Sequence, residues 1–143
     1  MPKPVVSRAS TVWTGDLASG SGATRLDGSG LGPFDVDWKT RSEEGPGPKT
    51  TPEELIGAAH ASCYCMMLSG LLAKNDTPPT RLDTSAEVTF VAGEGITGVK
   101  LAVRAQVADL SAEDFARIAE EAKATCPVSQ ALSVDITLDA QLV

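Results

Sequence analysis

The sequence has little positive charge. Its 143 residues carry 12 lysines and arginines against 19 aspartates and glutamates, which gives a formal net charge of −7 at pH 7. Proteins that bind nucleic acid or an anionic membrane surface need a basic face, so this balance argues against both kinds of partner. We expect the partners to be small molecules or proteins.

An apolar leader is also missing. Residues 1–8 contain no apolar segment of the kind that a secretory signal needs, so we expect the chain in the reducing cytoplasm, where structural disulfides are unusual. A chain of 143 residues suits one domain and can bury a core without metals or cross-links. We therefore expect a single domain over residues 1–143.

The longest uncharged run, residues 55–73, predicts a central helix. The run is long enough to cross a membrane, but His60 and several glycines and serines dilute it, and a soluble helix that is apolar on all sides is usually buried. Thr51 can cap its start, Pro52 suits the first helical position, and Glu54 completes a capping box. Because one chain of this size offers too little cover for such a helix, we expect an obligate homodimer.

Alternating apolar residues predict strands on both sides of this helix. A second helix should begin at Ser111 and end near Cys126, because a residue that precedes proline disfavours helical geometry. The order of strands, long helix, strand pair, helix and strand indicates an α+β fold. The glycines between the fourth and fifth strand patterns suggest a hairpin. The strand patterns cover residues 7–14, 23–26, 34–38, 86–90, 99–107 and 134–142.

Three cysteines carry the chemical signal. Cys63 and Cys65 lie in the long helix, and Cys126 lies at the end of the second one. Two cysteines brought together from distant positions suit reversible redox chemistry, in which one thiolate attacks an oxidant and the other closes a disulfide. The alternative is that all three are buried small hydrophobic residues.

Other kinds of site are also open to these residues. His60 and Cys63 share a helix face, so they could form the dyad of a Cys-His hydrolase, although a hydrogen-bonded core histidine is the simpler interpretation of His60. Residues two apart on a helix point about 200° from each other, so Cys65 cannot join the other two in a zinc site. A ligand-binding module without catalysis is a third class.

Two separate motifs, TPEELIGAAHASC at residues 51–63 and CPVSQAL at residues 126–132, can be compared with known families. Together with the WTGD turn at residues 13–16, they resemble the OsmC/Ohr family of thiol-dependent peroxidases over the whole chain. The EELIGAAH wording and Arg41 before the following loop are closer to the OsmC branch than to the Ohr branch.

The resemblance implies an OsmC-like fold, with a long central helix packed against antiparallel sheets in an intertwined homodimer. It implies reduction of organic hydroperoxides to alcohols, with Cys63 as the peroxidatic and Cys126 as the resolving cysteine, and no metal or organic cofactor. Arg41 matches the arginine that stabilises the thiolate, and Glu53 matches the acid that holds this arginine. An external dithiol, such as a lipoylated protein, must reduce the disulfide. The chain departs from the usual pattern at Cys65, where relatives mostly carry a residue without a thiol.

Elementary chemistry supports these roles separately. Burial should raise the pKa of the Cys63 thiol, so a fixed cation must lower it, at about 1.4 kcal/mol for each pKa unit. Arg41 stays charged and can hold a carboxylate while it points other donors at sulfur. Glu53 precedes Cys63 by roughly 15 Å along a straight helix, so Arg41 bridges them, the helix bends, or Glu53 comes from the partner chain. The simpler alternatives are a first-turn acid for Glu53 and a solvated loop charge for Arg41.

Apolar residues near Cys63 predict the choice of substrate. We expect an apolar pocket that buries the alkyl or aryl group of a bulky hydroperoxide, at about 25 cal/mol per Å² of apolar surface. Hydrogen peroxide has no such group. The residues expected to line the pocket are Tyr64, Met66, Met67 and Leu68.

Overall fold

The computed structural model describes residues 2–143, which form two compact units. The first unit extends to Pro52, and the second covers Glu53–Val143. The elements agree with an α+β fold, as the order of the sequence patterns predicts. The single domain over residues 1–143 stays a prediction.

The first unit contains a three-stranded antiparallel sheet. Its strands are β1 (Ser10–Thr14), β2 (Ser21–Leu26) and β3 (Leu31–Val36), in that order across the sheet. Tight turns join the strands, and Gly15 has a φ of 95° that favours glycine. A π-helical turn at Thr40–Glu44 follows β3.

The second unit contains the long helix and a second three-stranded sheet. Helix α1 spans Pro52–Lys74, as the capping pattern predicts, and the hairpin strands β4 (Pro79–Val91) and β5 (Gly95–Val107) follow it. Helices α2 (Ala112–Thr125) and α3 (Pro127–Ala131) then cross over to β6 (Asp135–Leu142), which pairs with β5 in parallel. The second sheet is therefore mixed, and the expectation of antiparallel sheets was wrong for it, because the helical crossover returns the chain in the same direction.

The core of the second unit is made by α1, β5 and α2. On α2, the N-cap prediction is confirmed, because the Asp114 backbone N–H donates to Ser111 Oγ at 3.1 Å. On β5, alternate residues are buried, which fixes the register of the sheet against the helices. The buried apolar residues are Tyr64, Leu68, Leu72, Val99, Leu101, Val103, Ala105, Phe115, Ile118, Ala119 and Ala122.

Helix α1 buries only one stripe within this chain. Its buried positions follow each other at spacings of three and four residues, and Met66 on another face is 74% exposed. Burial on every side, which the uncharged run led us to expect, is therefore not reached in a single chain. By length and composition α1 could also cross a membrane, but core helices of soluble proteins can have the same length and composition.

Candidate active site

The sulfur atoms of Cys63 and Cys126 lie 3.1 Å apart, at hydrogen-bonding distance, and both thiols are free. Helix α1 holds Cys63. Cys126 occupies the junction between α2 and α3, where Pro127 takes the first position of α3 and the Cys126 backbone is extended, with φ −58° and ψ 123°. A disulfide bond is about 2.05 Å long, so the two sulfurs need only a small approach to form one after an oxidant has converted either of them to a sulfenic acid.

The two thiols differ in accessibility. Cys126 is fully buried, whereas Cys63 is half-buried. A molecule arriving from solvent therefore meets the Cys63 sulfur first.

Their acidities differ as well. Burial raises the pKa of the Cys63 thiol, the Val128 backbone N–H partly opposes this, and the neighbouring Cys126 raises it further. Burial also acts to raise the pKa of Cys126. Hydrogen bonds from the Ser129 backbone N–H, Cys63, the Ser129 hydroxyl and the Val128 N–H outweigh that effect, and the pKa of Cys126 falls below its ordinary value.

The hydrogen bond between the sulfurs can run in either direction, and the two thiols titrate as a pair. Because Cys126 has the additional donors, we assign the negative charge to Cys126 and the donated proton to Cys63. Within these contacts, Cys63 is the accessible sulfur but not the more acidic one. A nucleophilic Cys63 therefore needs a further cation.

The structure places Arg41 in the π-helical turn of the first unit, where it is half-buried. Asp37 holds this turn, because its carboxylate accepts the Thr40 backbone N–H at 2.8 Å and the Lys49 ammonium at 2.6 Å. The hydrogen bond from Lys49 is the largest cause that lowers the pKa of Asp37, so the carboxylate is ionised at neutral pH. The alternating pattern at residues 34–38 gave no signal for this turn.

Glu53 and Glu54 both lie in the first turn of α1, yet only Glu53 is buried, at 4% exposure. The helix dipole favours both acids and does not explain this difference. A buried carboxylate has to be paired or hydrogen-bonded. Helix α1 is continuous as far as Lys74, so Glu53 and Cys63 remain roughly 15 Å apart along it.

Cys65 faces a different part of the second unit. Its sulfur lies 2.9 Å from Thr84 Oγ1 on β4, as expected for a residue two positions from Cys63 on a helix. Cys65 is therefore separate from the contact between Cys63 and Cys126.

Residues 2–143 contain no group of three His, Cys, Asp or Glu side chains placed to hold a metal ion.

The expected apolar lining of a substrate pocket is not formed as predicted. Tyr64 and Leu68 are fully buried core residues, and Met66 is exposed on another side of α1. For Tyr64 and Leu68 the prediction was wrong, because it used closeness in sequence to Cys63, whereas successive residues of a helix point in different directions. For Met66 and Met67 it stays a prediction.

His60 is fully buried, and its Nε2 atom lies 2.7 Å from the Ser129 hydroxyl oxygen. Burial lowers the pKa of His60, so the ring is neutral at pH 7. This contact agrees with the interpretation of His60 as a hydrogen-bonded core residue. Sequence reasoning missed Ser129, although its spacing of three residues from Cys126 gave a signal.

Comparisons with known proteins agree with the two sequence motifs. A family model described as OsmC-like protein matches residues 45–140. The chain is 42% identical over 133 residues to peroxiredoxin OsmC of Escherichia coli, which covers 91% of this chain and 92% of that one. It is 32% identical over 94 residues to organic hydroperoxide resistance protein OhrA of Bacillus subtilis, covering 63% and 66% of the two chains.

Solved structures agree with the fold. An OsmC-like protein of unknown function from Vibrio cholerae matches with a TM-score of 0.72 at 15% identity, over 96% of this chain and 99% of that one. An organic hydroperoxide resistance protein OsmC from Legionella pneumophila matches with a TM-score of 0.66 at 19% identity, over 99% and 98%.

Proposed function

The chain belongs to the OsmC-like family, and from this membership we propose that it is a thiol-dependent peroxidase that reduces organic hydroperoxides to alcohols. The names peroxiredoxin OsmC and organic hydroperoxide resistance protein OhrA support the class of reaction and the class of substrate. The observation that carries the proposal is the 3.1 Å contact between an accessible and a buried thiol.

In the first step, the Cys63 thiolate attacks the terminal oxygen of the hydroperoxide. The O–O bond breaks, Cys63 becomes a sulfenic acid, and the alkoxide takes up a proton and leaves as an alcohol. In the second step, the Cys126 thiolate attacks the Cys63 sulfur. The S–S bond forms, and the leaving hydroxide takes up a proton to give water.

Exposure supports the division of roles. The half-buried Cys63 can meet a peroxide, and the fully buried Cys126 can meet only the sulfur beside it. The lowered pKa of Cys126 suits the second role, because it favours the thiolate that attacks the sulfenic sulfur.

Arg41 is our candidate for the cation that Cys63 needs, and Glu53 is our candidate for the acid that holds Arg41. The raised pKa of Cys63 supports the need for a cation, and the burial of Glu53 supports a carboxylate that is paired rather than solvated. The roles themselves come from the match to the family motif.

We also propose that the enzyme is a homodimer, that an external dithiol reduces it, and that it is located in the cytoplasm. An exposed sheet in the first unit and the exposed faces of α1 supply apolar surface for a second copy. A dithiol, for which a lipoylated protein is one source, is needed to reduce the disulfide after each turnover. A reducing compartment supplies such thiols.

One experiment separates this proposal from a hydrolase and from a module that only binds ligands. Free thiols are counted before and after one equivalent of cumene hydroperoxide. We expect a decrease from the three free thiols to one per chain, with Cys63 and Cys126 joined. Cys65→Ser is the matched control and should also lose two thiols. Unchanged thiols in both proteins would reject the peroxidase.

A further inference from the structure

A buried polar contact adjoins the pair of thiols on the side of Cys126. His60 Nε2 lies 2.7 Å from Ser129 Oγ, and both residues are buried. Ser129 lies in the first turn of α3, three residues after Cys126, where side chains at such a spacing are neighbours. As a hydrogen-bond donor, its hydroxyl also lowers the pKa of the Cys126 thiol. The three side chains thus form a continuous line from α1 to the resolving cysteine.

The single hydroxyl proton of Ser129 fixes the direction of this line. If Ser129 donated to His60, the hydroxyl would have no proton left for the sulfur, and the His60 ring would carry its proton on Nδ1. Nδ1 is buried and has no hydrogen-bond partner within residues 2–143. A buried N–H without a partner is rare, and a bare acceptor is somewhat less so. The favoured tautomer therefore carries its proton on Nε2.

We propose that His60 is a positioning residue for the second half of the reaction. Its Nε2–H donates to Ser129 Oγ, which orients the Ser129 hydroxyl so that its proton points at the Cys126 sulfur. This arrangement keeps Cys126 ready as the thiolate that closes the disulfide. The inference rests on the proposed peroxidase function for its use in catalysis, but the hydrogen bonds can be tested without it.

The two half-reactions should respond differently to loss of the Ser129 hydroxyl. The oriented hydroxyl stabilises negative charge on Cys126 and contacts neither the peroxide nor the sulfenic oxygen. Losing it should therefore slow the step in which Cys126 is oxidised and the sulfenic sulfur is reduced. Formation of the sulfenic acid on Cys63 should not slow, because less negative charge on Cys126 favours the Cys63 thiolate.

Few other titratable groups face Cys126. On α1 they are Cys63 and Tyr64, and His60 acts through Ser129. Burial raises the pKa of Tyr64 above that of a free tyrosine, and Glu120 of α2 adds to this effect. Because the pKa of Tyr64 is raised, its phenol stays protonated while Cys126 titrates.

The first test measures Cys126 directly, in a background of Cys63→Ser and Cys65→Ser. Thiolate absorbance in the ultraviolet is followed against pH. His60→Leu and Ser129→Ala should each raise the pKa of Cys126 by about one unit, the size expected for losing one hydrogen bond to a charged group. His60→Gln keeps an N–H donor and should leave the titration close to that of the background. Equal titrations in all four proteins would overturn the proposal, as would an equal shift in His60→Gln and His60→Leu.

The second test uses the full set of cysteines and one turnover of cumene hydroperoxide. Sulfenic acid and disulfide are quantified by mass spectrometry after rapid quenching. In His60→Leu and Ser129→Ala, disulfide closure at neutral pH should slow about tenfold and recover at alkaline pH, and formation of sulfenic acid should not slow. Slowing that is independent of pH would overturn the proposal and indicate a purely structural role.

The peroxidase function and the role of His60 and Ser129 can be rejected independently of each other. If the unmodified chain forms no disulfide with the hydroperoxide, the proposed peroxidase is rejected, while the titration still decides whether His60 and Ser129 act on Cys126. If His60→Leu does not fold, Ser129→Ala is compared with Ser129→Thr, which keeps the hydroxyl. A difference between these two variants supports the proposal, and equality overturns it.

Discussion

The two three-stranded sheets of this chain differ in what they bury. Every residue of β1 in the first unit is exposed, including Val12 at 72%. In the second unit, β5 buries Leu101 and Val103 almost completely. A sheet gains stability by packing one face, so the second unit has its own core and the first unit has apolar surface left over. The thiols belong to the unit with the core, and Arg41 belongs to the unit with the open sheet.

The largest effect should come from the thiols in the second unit. Cys63→Ser should abolish peroxide turnover, because a hydroxyl does not replace the thiolate nucleophile. Cys126→Ser should allow one oxidation and then stop, with Cys63 trapped as a sulfenic acid or a mixed disulfide. Peroxide consumption with a dithiol, followed by mass spectrometry, measures both. Steady turnover in Cys126→Ser would remove it from the role of resolving cysteine.

Arg41→Lys tests whether the first unit contributes to the chemistry. Loss of the planar, bidentate guanidinium should lower kcat/KM by about 10- to 100-fold although the charge is kept. The matched control is Arg25→Lys on β2, which should have little effect. If the rate of Cys63 alkylation against pH is the same in both variants, Arg41 does not act on the Cys63 thiolate.

A pair of identical substitutions tests the difference between the sheets. Leu101→Ala on β5 should lower the free energy of unfolding by about 2–5 kcal/mol, because it opens a cavity in the core. Leu31→Ala on β3, where the side chain is 57% exposed, should cost below about 1 kcal/mol within a single chain. Urea titrations at several protein concentrations measure both changes.

The same leftover surface predicts the oligomeric state. Sedimentation at micromolar concentration should give a mass close to twice 14.8 kDa. If β3 is covered in that dimer, the cost of Leu31→Ala should depend on protein concentration. A well-folded species at the monomer mass would show that the open sheet is stable without a second copy.

Cys65→Ser should have the smallest effect. The thiol lies on another face of α1, with Thr84 as its neighbour, so most of the peroxidase activity should remain. Serine can keep the hydrogen bond to Thr84. Inactivity as complete as that of Cys63→Ser would mean that the pair of reacting thiols has been assigned wrongly.

Local signals predicted most of the elements. The structure has the three elements that local patterns predicted: α1 with Pro52 at its start, α2 with its Ser111 cap, and the alternating strand β6. Each of these patterns depends only on residues that are close in the sequence. The π-helical turn at Thr40–Glu44 was missed because its stabilising contacts come from Asp37 and from the more distant Lys49. Helix α3 was missed because Pro127 was taken only as an end to the preceding helix.

Long-range contacts were less accessible from the sequence. The motifs indicated Cys63 and Cys126 as partners, but periodicity alone does not give the distance between them. The contact between His60 and Ser129 spans 69 positions and depends on how α3 packs on α1. The failed prediction of a pocket around Tyr64 and Leu68 has the same cause, because burial follows the face of the helix and not closeness in the sequence.

The contact between Cys63 and Cys126 joins positions 63 residues apart, and this has a consequence for heat resistance. Oxidation would close a covalent loop of that length, and restriction of the unfolded chain would favour the folded state by about 4 kcal/mol. Peroxide-treated protein should then melt roughly 10 °C above reduced protein, and Cys126→Ser should show no such difference. When the dithiol is exhausted, the disulfide form of the enzyme would accumulate. Because this form is the more heat-resistant one, loss of the reductant would protect the protein from unfolding.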